Sequence, residues 1–356
     1  MEPIKVLIVD DSAFMRTMIK DLLSSDKRIQ VIGTARNGAD AINKLKRYEP
    51  DVITMDVEMP VMNGLDCLEK IMNEQPLPII MLSSTTVEGA ENMIAAIQKG
   101  AFDFVPKPSS TISFDLRQVK DELIKKIIEA QRANIKPLRL RNQTFKGKQN
   151  TATDQVFSYT QKRNNKLVLI GSSTGGPRAL EFVIKNLPKN FAAPILIVQH
   201  MPKGFTKSLA ERLNFASAIE VKEAEHGEIL RNGVAYIAPG GKHLKVRQVG
   251  HSIVSSLTTD DPVKGHRPSV DTLFFSAAKL KNHQKIAIVL TGMGSDGAYG
   301  LEVLKHNTDN TYTIAESENT AVIYGMPKSA IQTGYVDKIA DLDEIACHIT
   351  RFVNER

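Results

Sequence analysis

The chain has no tryptophan, only two cysteines, and aromatic residues at just 6% of its 356 positions. Cys67 and Cys347 stand far apart, without cysteine or histidine neighbours at metal-site spacing, which argues against a disulfide framework or structural zinc. Long apolar runs are missing as well. None approaches the ~18 residues of a membrane span, so no membrane insertion is expected. The opening Met1-Glu2-Pro3-Ile4-Lys5 lacks the basic and apolar regions of a signal peptide, and the expected location is cytoplasmic. Neither sign of charge dominates: 46 Lys and Arg against 40 Asp and Glu leave a net +6, too modest to point to nucleic acid. What remains is an ordinary globular composition, 42% hydrophobic and 24% charged, in a chain longer than the usual ~100–200 residues of one domain. Two domains are expected.

Residues 4–130 alternate short apolar runs with amphipathic ones: 6–9 then 14–24, 31–32 then 39–47, 52–55 then 65–73, 79–82 then 87–99, and 102–105 then 115–132. Near-continuous apolar strands separated by helices of this length predict a parallel sheet covered on both faces, with ligands outside the carboxyl ends of its strands. From about 132 to 166 the periodicity fails. Nine basic residues there, from Arg132 to Lys166, face one acid, Asp154. This reads as a solvated connector, with docking of an acidic partner as the alternative. Strand-like runs resume at 167–171, 194–199, 234–238, 286–291 and 311–315, with helical patterns at 177–187, 205–213, 269–281 and 298–306. A second α/β domain follows. Alternation over 243–247 and 252–255 predicts an added hairpin.

In the first half, Asp10 and Asp11 end one predicted strand, Asp56 another, Ser83 a third, and Lys107 follows a fourth. All therefore share one sheet edge. Clustered carboxylates repel unless a cation joins them, and hard oxygen ligands suit magnesium. Asp10-Asp11, Asp56 with Met59-Pro60 and Gly64, Ser83, and Phe104-Val105-Pro106-Lys107-Pro108 resemble the response-regulator receiver domain, over about residues 1–125. The resemblance implies a flavodoxin-like, five-stranded parallel sheet. It further implies that Asp56 accepts phosphate from a partner histidine kinase, that Asp10, Asp11 and Asp56 bind Mg2+, and that Ser83, Phe104 and Lys107 sense the phosphoryl group. The family moves the face formed by about residues 87–125.

In the second half, Gly171-Ser172-Ser173-Thr174-Gly175-Gly176 follows a strand and precedes a helix. The Gly-x-Ser-x-Gly spacing centred on Ser173 fits a nucleophile elbow, but a helix N-terminus after a glycine turn also cradles phosphate, and both readings stand. His200 ends the next predicted strand and can serve as a base. His243, His251, His266 and His283 lie in polar or hairpin-like segments and are weaker candidates. Asp296, in Thr291-Gly292-Met293-Gly294-Ser295-Asp296-Gly297, can orient an imidazole or simply cap a helix. The order Ser, His, Asp differs from that of α/β-hydrolases.

Taken together, residues 171–177, Val198 to Phe205, Ala238 to His243 and Leu290 to Gly297 resemble the catalytic domain of the bacterial chemotaxis protein-glutamate methylesterases. That resemblance implies a doubly wound, mostly parallel α/β catalytic domain over 166–356, joined by a linker over 126–165. It implies Ser173 as nucleophile, His200 as base and Asp296 as orienter, with the Thr174 turn and Met293 as oxyanion contacts. The substrates would be methyl-accepting chemoreceptors, hydrolysed at glutamate methyl esters and deamidated at glutamines. Ester hydrolysis would need no cofactor, and with no helix-turn-helix pattern no nucleic-acid partner is expected. Ser172 and Ser295 stand where family members often carry alanine and asparagine.

Overall fold

The computed structural model describes residues 2–83, 86–107, 113–135, 165–307 and 310–355. The first unit runs β1 (Ile4–Val9), α1 (Ala13–Ser24), β2 (Ile29–Ala35), α2 (Gly38–Leu45), β3 (Val52–Asp56), α3 (Gly64–Glu74), β4 (Ile79–Ser83), α4 (Val87–Gln98), β5 (Asp103–Pro106) and α5 (Ser113–Ala130). Its five strands pair in parallel in the order β2-β1-β3-β4-β5. Each of the first four helices starts with a polar cap: Ser12, Asn37, Asn63 and Thr86 accept the N–H three residues on. Gly64 is required by close approach. A Cβ there would lie 2.0 Å from the Asp56 carbonyl oxygen, and the Gly64 N–H bonds Val57 O at 2.8 Å, so the motif glycine holds α3 against the strand end that carries Asp56.

The second unit contains β6 (Lys166–Ser172), α6 (Gly176–Lys185), β7 (Ile195–Gln199), α7 (Phe205–Ala216), β8 (Glu220–Glu223), β9 (Val234–Ile237), β10 (His243–Val249), β11 (Ser252–Thr258) and α8 (Val270–Ala278). It closes with β12 (Gln284–Val289), α9 (Ala298–Asn307), β13 (Thr311–Glu316), α10 (Met326–Gln332), β14 (Lys338–Ala340) and α11 (Leu342–Asn354). Seven strands form one sheet, β14-β13-β12-β6-β7-β9-β8, and β10-β11 make the separate antiparallel hairpin. Alternation along β6 sends Val168 and Ile170 into the layer with Leu180 and Val183, and Leu167 and Leu169 into the opposite layer with Leu273 and Phe274. The chain leaves β6 towards β7 on one side and returns to β12 on the other. The switch point thus lies between β6 and β12, where doubly wound sheets open a crevice for ligands.

The expected doubly wound architecture and hairpin are present. The short elements β8, β14 and α10 and the 13-residue helix α11 have no counterpart in the sequence reading. β8 reads Glu-Val-Lys-Glu at a sheet edge, too polar and short to signal a strand. Most of the expected linker, 136–164, lies outside the described residues, as does Pro108. Among the described residues no helix is long and apolar enough to cross a membrane.

Candidate active site

Ser173 sits just past the end of β6, on a turn made by Gly175 in the left-handed region at φ 78°. Its N–H bonds Thr291 O at 3.0 Å, fastening it to the end of the neighbouring β12. A Cβ at Gly176 would come within 2.0 Å of Gln199 Oε1 and 2.9 Å of Ser172 Cβ, so a side chain there would displace the Gln199 amide. The two adjacent serines differ in environment. Ser172 is fully buried and donates to Gln199 Oε1 at 2.7 Å, while Ser173 is partly exposed. Gln199 then donates from Nε2 to both Ser173 O (2.9 Å) and His200 O (3.1 Å), locking the turn to the strand that carries His200.

His200 follows β7, and its Nε2 meets Asp296 Oδ2 at 2.8 Å. The Nε2–H therefore donates to the carboxylate, which leaves Nδ1 as the basic nitrogen. Nδ1 is buried without a hydrogen-bond partner among the described residues, and no hydrogen bond joins His200 to Ser173 in this arrangement. Asp296 also accepts Val270 N–H at 2.7 Å, Asp271 N–H at 3.0 Å and the Ser269 hydroxyl at 2.9 Å. Asp296 meets the first N–H groups of α8, not those of the helix that follows it in sequence, and its carboxylate faces the His200 imidazole. Burial opposes its charge, but the His200 contact and the α8 amides outweigh that and hold its carboxyl well below the usual range. Asp271 returns the arrangement by accepting Gly297 N–H and Gly300 N–H at the start of α9. Met293 is buried between these loops, and neither its N–H nor that of Thr174 has an intramolecular acceptor among the described residues.

A second cluster lies at the end of the first sheet. Carboxylate oxygens of Asp10, Asp11 and Asp56 lie within 4.8 Å of one another. Lys107 Nζ bridges Asp10 Oδ2 at 3.0 Å and Asp56 Oδ1 at 2.8 Å. Burial raises the Asp56 pKa, more than Lys107 offsets. Ser83 is turned away, donating to Gly89 O at 3.3 Å. Phe104 leaves its own domain and stacks on Phe205, centroids 4.9 Å apart and planes 18° from parallel.

Residues 168–349 match the CheB methylesterase family, and residues 6–116 match the response regulator receiver domain. A protein-glutamate methylesterase/protein-glutamine glutaminase of Geobacillus kaustophilus is 54% identical over 100% of both chains. The protein of that name from Bacillus subtilis is 47% identical over 99% of both. This chain belongs to the CheB methylesterase family. The crystal structure of the Thermotoga maritima CheB methylesterase catalytic domain superposes with a TM-score of 0.51 at 46% identity, covering 52% of this chain and 98% of that one.

Two features of this CheB family member were not legible in its sequence. His266 stacks face to face on His200, with centroids 3.8 Å apart and planes 5° from parallel. Burial, then the neighbouring His200, push its pKa down to about 3, so it stays neutral beside His200. It is carried by a turn through Lys264 (φ 50°) and Gly265 (φ 81°), and Lys264 Nζ fastens that turn to Asp271 Oδ2 at 2.9 Å and Ser295 O at 3.0 Å. The second feature is a contact between domains. Asp103, on β5, accepts the Thr174 hydroxyl at 2.5 Å, one residue from Ser173. Gln98 donates to Glu181 Oε2 at 2.6 Å beside it. No local pattern relates residues 71 positions apart on different sheets.

Proposed function

We propose that the chain is a phosphorylation-controlled protein-glutamate methylesterase of chemotaxis adaptation, which releases methanol from receptor glutamate esters and deamidates receptor glutamines. The observation that carries the chemistry is the His200–Asp296 pair, buried beside a glycine turn that presents Ser173. Ser173 Oγ attacks the ester carbonyl as His200 Nδ1 takes its proton. Asp296 fixes the tautomer and stabilises the imidazolium. The ring is used the other way round from the serine-protease template, in which Nδ1 faces the carboxylate. The oxyanion is received by the free N–H groups of Thr174 and Met293. Methanol leaves with the proton from His200, and water then attacks the acyl-enzyme, giving its proton to His200 and restoring Ser173. The test is methanol release from methylated receptor membranes. Ser173→Ala should lower the rate on the order of 10⁴-fold, and retained release would refute the mechanism.

Control follows from β5. A chemotaxis histidine kinase would phosphorylate Asp56. The Asp10, Asp11 and Asp56 oxygens, all hard anionic donors in one cluster, fit Mg2+, which when bound would offset charge during phosphoryl transfer. Lys107 stands at the end of the strand that also bears Asp103 and Phe104, both engaged with the catalytic half. Drawing Lys107 to a phosphoryl group shifts β5 and releases Thr174 and Phe205, which favours an uncovered cleft. In this reading residues 1–125 are the receiver, 126–165 the linker and 166–356 the catalytic domain of a cytoplasmic enzyme. The excess of basic residues in the connector sequence would favour acidic receptor segments by charge.

A further inference from the structure

Glu316 closes β13 with no solvent exposure, and among the described residues it forms no ion pair. Its Oε2 accepts Thr291 N–H at 2.7 Å, and its Oε1 accepts the Thr320 hydroxyl at 3.1 Å. Thr291 is the junction of the site. Its carbonyl holds the Ser173 N–H at 3.0 Å, and its hydroxyl donates to Thr174 O at 2.9 Å while accepting Ile323 N–H at 3.0 Å. The next residue, Gly292, approaches so closely that a Cβ would lie 2.7 Å from Ser173 Cβ, and Met293 follows it. One residue, Thr291, therefore links the buried carboxylate through its N–H to Ser173 through its carbonyl, and leads directly into Gly292-Met293. A neutral side chain of the same shape could accept Thr291 N–H and donate to Thr320 Oγ1 without the desolvation cost of a buried charge, which amounts to several kcal/mol. The carboxylate needs another reason.

We propose that Glu316 is a positioning residue for ester hydrolysis, its ionised carboxylate gripping the Thr291 peptide so that Ser173 and Met293 are held in register, and that hydrolysis therefore weakens when Glu316 is protonated. The inference rests on the catalytic roles assigned above. Burial, and secondarily the charge of Asp341 at the start of α11, push the Glu316 pKa up to about 7, against the Thr291 and Thr320 bonds. Asp341 is itself bonded to the Ser317 hydroxyl. On protonation, Oε1–H donates to Thr320 Oγ1 while Oε2 still accepts Thr291 N–H. The peptide is then held by a neutral acceptor, about half as strong as the charged one. The clamp loosens without breaking.

Glu316→Gln keeps the shape, accepts Thr291 N–H through its oxygen and meets Thr320 Oγ1 as a donor through Nε2, but cannot ionise. In methanol release from methylated receptor membranes, the ratio of wild-type to Glu316→Gln kcat cancels any pH dependence the two enzymes share. It should rise from about 1 below pH 6 to about fivefold above pH 8, with KM unchanged. Glu316→Ala should lose tenfold or more at every pH. A readout independent of activity is the melting temperature. Between the unfolded carboxyl's value of 4.5 and about 7 the native state alone keeps the proton, so wild-type stability falls as pH rises through that window. Glu316→Gln should remove the fall. A flat kcat ratio, an Ala variant with wild-type kcat, or an unchanged pH dependence of melting would each overturn the proposal. Failure of Ser173→Ala to abolish release would instead overturn the catalytic assignment.

Discussion

Phe104→Ala tests whether the receiver holds the cleft closed. The ring is 4% exposed and lies flat on Phe205, which is 1% exposed, so domain separation would bring both into water. Burying a phenylalanine contributes about 1.5–3 kcal/mol. An aromatic pair adds about 0.5–1.5 kcal/mol beyond area. Removing the ring should therefore weaken the closed arrangement by about 2–4 kcal/mol, a shift of about 30- to 1,000-fold in the closed-to-open ratio. Basal methanol release without a phosphodonor should rise towards the phosphorylated rate and then saturate, because opening cannot exceed completeness. Phosphodonor should add little more. Phe205→Ala made alone and with Phe104→Ala closes a cycle. If the stack carries the effect, the double variant opens no further than the sum less about 1 kcal/mol of coupling. A Phe104→Ala enzyme with an intact receiver, by melting, and a basal rate within twofold of wild type would refute the argument.

Ser172→Ala should keep hydrolysis within a few-fold of wild type and lower stability by about 1 kcal/mol, the net value of its buried bond to Gln199; loss of activity comparable to that of Ser173→Ala would reverse the assignment of the two serines. Asp296→Asn should drop kcat by about 10³- to 10⁴-fold, read as methanol release, because the amide favours the wrong imidazole tautomer. Asp56→Asn should abolish labelling by a small phosphodonor and the accompanying rise in esterase rate; persistent labelling would move the phosphorylation site elsewhere. His266 is held neutral with its pKa at about 3, whereas the unfolded imidazole takes a proton near 6.5, so wild-type melting temperature should fall as pH drops through that window. His266→Phe should flatten that acid limb.

Local chemistry determined much of this protein. Alternation of apolar runs and helices decided a parallel α/β architecture, since a strand buried on both faces has to be apolar throughout. Parallel strands then brought Asp10, Asp56 and Lys107 to one sheet edge, and Ser173, His200 and Asp296 to another, because residues at the carboxyl ends of such strands have no other place to go. Tertiary structure decided what depends on contacts between distant elements. Which adjacent serine faces inward was set by Gln199 on β7, and which helix Asp296 caps was set by the packing of α8 against β6 and α9. His266 came onto the His200 ring through a turn pinned by Lys264, and Glu316 became the support of the Thr291 peptide because β13 lies beside β12. The contact of Asp103 and Phe104 with Thr174 and Phe205 required two folded sheets to meet. Periodicity encodes which face of an element is buried, but not which neighbour buries it, and hydrogen-bond partners follow from the neighbour.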